Sequence, residues 1–357
     1  MNILITAPSL NPTFNVNGIS TVVQTIIQNN KNHTYLHYLL GRPDNKQNKL
    51  KWFVELIKQL VLFPISLKRN RIELVHQNLP FDPKGVLREF IINLWCRLFN
   101  IPVVLHVHGG IFLMNGTPNK FYYNLSKILL NNCEVVVVLS NIEKDSLLKN
   151  YKYSSAKVLN NSIDSSSYFN RKGIKNDKPT FLFLGRIHES KGVEDIISAF
   201  KILRKEIDFR FILCGKGPLK EMFVTECHEI LGSDFEYLGI VSGDEKLNTI
   251  NKSDYFLLPS RYGEGLPMAL LETMASGLVP VVTDDASMKY VVKHKINGIQ
   301  INKNDPQDLY EKLKLIISDK VLYNTLSTNA VKTIKDHFDI KNYIVQLNEI
   351  YKLAISK

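Results

Sequence analysis

Two hydrophobic patterns alternate along this chain of 357 residues. Short, nearly unbroken apolar runs bounded by Gly, Pro, Asn or Ser read as buried strands. In the first half these are Asn2–Thr6, Ile72–Gln77, Pro102–His106 and Glu134–Leu139. In the second half they are Thr180–Leu184, Phe209–Cys214, Phe235–Leu238, Tyr255–Leu258 and Val279–Thr283. Between them apolar residues recur at helical spacing, and that alternation predicts α/β units around parallel sheets. Residues 166–178, rich in Ser, Lys, Asn and Gly, read as a linker between domains spanning 1–165 and 179–340. Residues 341–357 close the chain with a helical pattern through Tyr343, Ile344, Leu347, Ile350, Tyr351 and Ala354.

One helical stretch, residues 51–67, carries apolar residues at most positions and is flanked or interrupted by Lys49, Lys51, Lys58, Lys68, Arg69 and Arg71. Two readings stay open: an ordinary packed helix with solvated lysines, or a basic amphipathic helix lying in a membrane interface. Residues 86–99 pose the same question.

The length suits two domains of ordinary size. Cys96, Cys133, Cys214 and Cys227 form no Cys-x-x-Cys pair and sit in apolar contexts, which predicts buried thiols in a reducing compartment. The opening Met-Asn-Ile-Leu-Ile-Thr-Ala-Pro is too short and uncharged for a signal peptide. No apolar run approaches the roughly 20 residues that cross a bilayer. The expectation is a cytoplasmic protein, peripheral at most to the membrane. Its net charge of +11 is uneven. Residues 1–164 hold 18 Lys and Arg against 9 Asp and Glu, and the remainder 27 against 25. A basic half calls for an anionic partner, and a membrane surface or lipid diphosphate is favoured because no nucleic-acid motif accompanies the charge.

The most telling segment runs from Arg261 to Glu272 (Arg-Tyr-Gly-Glu-Gly-Leu-Pro-Met-Ala-Leu-Leu-Glu). A strand enters it, Pro267 suits the first helical position, and Gly277 suits the helix end. The backbone N–H groups of Gly265 and Leu266 at the helix start suit an anion, phosphate above all. Glu264 in the loop and Glu272 deeper in the helix suit hydrogen bonds from sugar hydroxyls. Taken as bare spacing, two glutamates near a helix start fit a structural role equally well.

Further segments share the strand-loop-helix form. Gly185-Arg186-Ile187-His188-Glu189-Ser190-Lys191 places two cations, Arg186 and Lys191, on a loop between a strand and a helix, where they suit an anionic ligand. Near the start, Asn17-Gly18 precedes a helix, and Gly18 allows close backbone approach to a ligand. Leu105-His106-Val107-His108 ends a strand; His108 is the candidate toward a ligand and His106 is read as pointing to the opposite face. No Asp-x-Asp and no metal-ligand spacing accompanies them.

Together these residues resemble the retaining glycosyltransferases of family 4, with the GT-B fold. The resemblance spans essentially the whole chain and is more specific in its second half. It implies an α/β protein of two Rossmann-like domains facing across a cleft, whose final helix crosses back to the first domain. It implies no cofactor, and a UDP- or GDP-linked sugar as donor. Arg186, Lys191, Glu264 and His108 are implied as catalytic, with Arg186 and Lys191 on the diphosphate, Glu264 on the sugar and His108 beside the transferred sugar. Gly18, Gly185, Gly215, Val241, Gly265, Leu266 and Glu272 are implied as donor-binding, Glu272 on the ribose. The segments Cys214–Pro218 and Tyr237–Val241 would flank the base, and Val158–Asp164 corresponds loosely to a Pro-Asn-Gly-Val-Asp run. The implied acceptor is a lipid-diphosphate-linked saccharide in surface polysaccharide synthesis. Two departures stand out: Asn17 replaces a usual glycine, and Lys289 stands where an acid is usual. A GT-B nucleotide-sugar epimerase and a catalytically silent partner subunit remain as rivals. A nicotinamide dehydrogenase is disfavoured, since Gly-x-Gly-x-x-Gly is missing after the first strand.

Overall fold

The computed structural model describes residues 1–11, 18–41, 49–168, 177–262, 264–285 and 287–356, with the side chains of 49–52 and 167 left aside. Asn17 and most of the expected linker lie outside these residues. The chain divides into two units, Met1–Ser162 with Ile340–Lys357, and Ile163–Asp339.

Unit 1 contains β1 (Asn2–Ala7), α1 (Gly18–Asn29), β2 (Thr34–Leu39), α2 (Lys49–Arg69), β3 (Leu74–Leu79), α3 (Pro83–Leu98), β4 (Val103–Val107), α4 (Ile111–Asn115), α5 (Lys120–Asn131), β5 (Val135–Val138), α6 (Asn141–Tyr151) and β6 (Lys157–Val158). Its strands pair in parallel in the order β2-β1-β3-β4-β5-β6. The order turns back between β1 and β3, the place where doubly wound sheets bind ligands at their strand ends.

Unit 2 contains β7 (Thr180–Leu184), α7 (Val193–Leu203), β8 (Arg210–Cys214), α8 (Lys220–Leu231), β9 (Phe235–Gly239), α9 (Gly243–Asn251), β10 (Tyr255–Leu258), α10 (Met268–Ala275), β11 (Val279–Thr283), α11 (Met288–Val291), β12 (Ile299–Ile301), α12 (Pro306–Ser318) and α13 (Lys320–His337). Its parallel order, β12-β11-β10-β7-β8-β9, is that of a Rossmann sheet, and it reverses between β7 and β10. Phe181, Phe200, Phe209, Phe211 and Phe223 fill the core on one face of this sheet.

The last helix, α14 (Ile340–Ile355), packs on unit 1. Asn30 Nδ2 donates to Asn348 Oδ1 at 2.8 Å, and the Tyr351 hydroxyl lies 2.7 Å from His76 Nδ1. The apolar face of α14, through Tyr343, Leu347, Ile350 and Ala354, is buried.

The α/β architecture agrees with the sequence, with differences of detail. Strands β2, β6 and β12 were not expected; each is a sheet edge, short or half-exposed, and so lacks a continuous apolar run. Strand β3 extends to Leu79, beyond the expected Gln77, because His76, Gln77 and Asn78 are buried with polar partners. The four cysteines are free and buried, as expected.

Candidate active site

In unit 2, the segments after β7 and β10 stand side by side at the reversal of strand order. The chain leaves β7 through Gly185, whose N–H donates to the Cys214 carbonyl at 3.0 Å. Gly215 faces it at φ +134°, and a Cβ there would lie 1.8 Å from the Gly185 carbonyl oxygen. Only glycine fits that approach. Beyond Gly185 the Arg186 side chain is exposed, and it forms no ion pair among the described residues. Lys191 follows in a short turn closed by Gly192, at φ +66°, before α7 begins.

After β10, Ser260 and Glu264 turn inward. Lys191 Nζ lies 2.5 Å from Glu264 Oε1, and Ser260 Oγ donates to that same oxygen at 2.5 Å. Thr283, ending β11, donates to the Ser260 carbonyl at 2.6 Å and fixes the turn. Glu264 is 7% exposed, and these two donors satisfy its buried oxygen.

Arg261 ties the two segments together. Its N–H donates to the Ser190 carbonyl at 2.8 Å. Its guanidinium spans Asp195 (2.7 and 3.3 Å) and Glu194 (2.7 Å). The Tyr262 hydroxyl donates to Glu189 at 2.5 Å. The hydrogen bonds to Asp195 push the Arg261 pKa above its ordinary value.

Helix α10 begins at Met268, one residue later than expected. Pro267 occupies the preceding position with extended backbone (φ −67°, ψ 127°), because its ring sets φ without requiring helical ψ. Gly265 and the buried Leu266 form the turn leading into it. Glu272, on the second turn of α10, meets Lys246 Nζ of α9 at 2.7 Å. Tyr168 also hydrogen-bonds to Glu272, and burial first, then this carboxylate, raise the tyrosine pKa. Both glutamates are therefore held by a lysine. Val241 is buried just beyond β9, and the Tyr237 hydroxyl donates to the Gly215 carbonyl at 2.9 Å. Lys289 is exposed, 3.7 Å from Asp284.

In unit 1, Gly18 is the exposed first residue of α1. His108 stands one residue past β4, its Nε2 2.6 Å from Asn78 Oδ1. Asn78 Nδ2 donates to the Thr6 carbonyl at 2.8 Å, which fixes the amide with its oxygen toward His108. His108 therefore carries its proton on Nε2 and offers Nδ1 as an acceptor. Burial lowers its pKa to about 3, so the ring is neutral at ordinary pH. The expectation for His106 is corrected. Its ring centroid lies 4.2 Å from that of His108, on the same side, because residues two apart share a strand face. His106 is in turn stacked on His76, whose pKa burial also lowers to about 3.

Sequence reasoning assigned no role to Ser260, Arg261, Lys246, Tyr168 or Asn78. Asn78 carried a signal, a polar run inside a strand between apolar neighbours. Lys246 and Tyr168 carried none, since they meet Glu272 only in space. Among the described residues, no group of three or more His, Cys, Asp or Glu could hold a metal ion. Nor is any helix there long and apolar enough to cross a membrane.

Two Rossmann-type parallel sheets with this site at the strand ends define the GT-B class of glycosyltransferases. The chain has the GT-B fold and is similar in sequence to family 4 glycosyltransferases. Residues 164–333 match the family described as glycosyl transferases group 1, and residues 31–167 match glycosyltransferase family 4. An uncharacterized glycosyltransferase of Methanocaldococcus jannaschii is 28% identical over 288 residues, covering 80% of this chain and 77% of its own. The UDP-Gal:alpha-D-GlcNAc-diphosphoundecaprenol alpha-1,3-galactosyltransferase of Escherichia coli is 25% identical over 313 residues, 83% of this chain and 79% of its own. In structure, Anabaena HepE in complex with UDP and glucose superposes with a TM-score of 0.78 at 17% identity, covering 99% of both chains. That likeness shows the fold.

Proposed function

We propose that this chain is a retaining glycosyltransferase that extends a lipid-diphosphate-linked saccharide in surface polysaccharide synthesis. The observation that carries the reading is the Lys191–Glu264 pair at the sheet reversal of unit 2. Lys191 and Arg186 take the diphosphate, with the backbone N–H groups of Gly265 and Leu266 on its phosphates. As the bond from the sugar to the diphosphate breaks, the electron pair leaves with the phosphate, and fixed cations lower the cost of that charge without a metal. Glu264 receives sugar hydroxyls and Glu272 the ribose. Gly185, Gly215 and Val241 shape the nucleotide pocket. Gly18 lets the backbone approach a phosphate. The neutral His108, with Nδ1 as acceptor, suits a sugar hydroxyl rather than proton donation.

Retention follows if the acceptor hydroxyl attacks the face the diphosphate leaves and gives its proton to a leaving phosphate oxygen. The acceptor class is supported by the name of the E. coli relative and by the basic first half of the chain. The test is a panel of nucleotide sugars offered with a diphosphate-lipid-linked saccharide, the product's anomeric configuration being read by NMR. An inverted product refutes retention. Epimerised donor without transfer, or donor neither transferred nor hydrolysed, refutes the transferase reading.

A further inference from the structure

Helices α2 and α3 are apolar on two sides, and the core uses only one of them. On α2, Phe63 and Leu67 face inward and are fully buried. The opposite side carries Phe53, Val54, Ile57, Val61, Leu62 and Ile65, between 40% and 59% exposed. On α3, Val86, Ile92 and Cys96 are buried, while Leu87, Ile91, Leu94 and Leu98 form an outward row, 38% to 68% exposed. That row repeats at steps of four, three and four, a continuous helical stripe. A contiguous row of exposed apolar side chains marks a surface that meets a partner or a membrane. By contrast, the helices of unit 2 expose only Tyr290 and Val321 among the large apolar side chains described.

The two helices form one surface. They pack against each other, and Lys68 at the end of α2 lies 5.0 Å over the ring of Phe99, just past α3. Its charge points to one occupant. Lys58, Lys68, Arg69 and Arg71 are exposed on or beside it. Of the two acids on these helices, Glu89 is buried and only Glu55 meets solvent. Apolar side chains rimmed by cations, whose aliphatic stems can lie along the interface while their heads stay wet, suit an anionic bilayer.

We infer that the α2–α3 face of unit 1 inserts into the interface of an anionic membrane. The purpose of this contact rests on the lipid-linked acceptor proposed above; the contact itself does not. The sequence left two readings for residues 51–67, and the surface accommodates both, since one side packs on the core and the other meets lipid.

The test is flotation of the whole protein with phosphatidylcholine vesicles, with and without phosphatidylglycerol. Binding to the anionic vesicles is expected. It should fall about 10-fold or more in Ile91→Glu/Leu94→Glu, and by a factor of about five for each of Lys68→Ala and Arg69→Ala. Wild-type protein that fails to float, or a folded Ile91→Glu/Leu94→Glu variant that floats unchanged, overturns the inference. So does a wild-type oligomer that this variant disperses, which would make the face a self-interface. Should the double variant not fold, Ile91→Cys serves: the four native cysteines are buried, so a polarity-sensitive label goes to position 91. A blue shift on anionic vesicles supports insertion, and no shift overturns it. Vesicle binding without turnover of a diphosphate-lipid acceptor sinks the acceptor and keeps the surface. Turnover of that acceptor without vesicle binding does the reverse.

Discussion

Lys191 Nζ sits 2.5 Å from Glu264 Oε1, so the cation proposed for the diphosphate and the acid proposed for the sugar are ion-paired with each other. Donor binding must redistribute this pair, giving each partner a ligand group in exchange. On the proposed reading the pair serves the stability of the fold as well as the binding of the donor.

Lys191→Ala is expected to lower kcat at least 100-fold and to destabilise the protein by about 3 kcal/mol, since it strands a buried carboxylate. In Lys191→Ala/Glu264→Gln the activity should stay lost while much of the stability returns. Donor turnover and thermal unfolding of both variants check this. Near-normal turnover in a folded Lys191→Ala protein contradicts the role.

Arg261 holds the segment bearing Glu264 against the segment bearing Lys191. Arg261→Lys keeps the charge but loses the planar fork. We expect kcat to fall about 10-fold with a smaller change in donor KM, because the pair is misplaced rather than removed. Glu194→Gln, removing the more exposed contact, should cost less. Equal effects of the two substitutions in steady-state kinetics would count against the clamp.

The tautomer of His108 is open to direct observation. Nitrogen-15 NMR should show its proton on Nε2, and Asn78→Leu should release that preference and lower kcat roughly 10-fold. Retained tautomer and retained rate in the variant would show that Asn78 does not position the ring.

Buried histidines tie stability to pH. His76 and His108 titrate near 3 in the fold and near 6.5 when unfolded, and His106 is also lowered by burial. The unfolded chain binds the extra protons, so their contribution is complete above about 6.5 and is lost as pH falls below it. Glu143 opposes this, since burial raises its pKa to about 8 and it gains stability as pH drops. The clean measurement is a difference: urea unfolding of His76→Gln should fall less steeply with acid than wild type. Parallel curves from pH 7.5 to 5.5 would rule the histidine out as a contributor.

Strands β7, β10 and β11 were legible to the residue, because the centre of a parallel sheet is buried on both faces and demands unbroken apolar runs. Edge strands β2, β6 and β12 face no such demand and left no run to read. In the site, Lys191 and Glu264 were marked by the loops that carry them. Lys246, Tyr168 and Asn78 were not, since a partner's identity is fixed by tertiary approach and not by spacing. His106 was misread where the rule was simplest: a strand's period of two puts it beside His108.

Unit 2 starts at Ile163 and ends at Asp339, and these two residues pair in a β-bridge. It is thus an insertion whose entry and exit are adjacent, placed within a unit that is finished only by α14. Along the sequence unit 2 is complete before Tyr351 and Asn348, the partners of His76 and Asn30, are reached. The unit that begins first along the chain is therefore the last to be completed, and removal of α14 should spare the sheet of unit 2 while leaving unit 1 without the partners of His76 and Asn30.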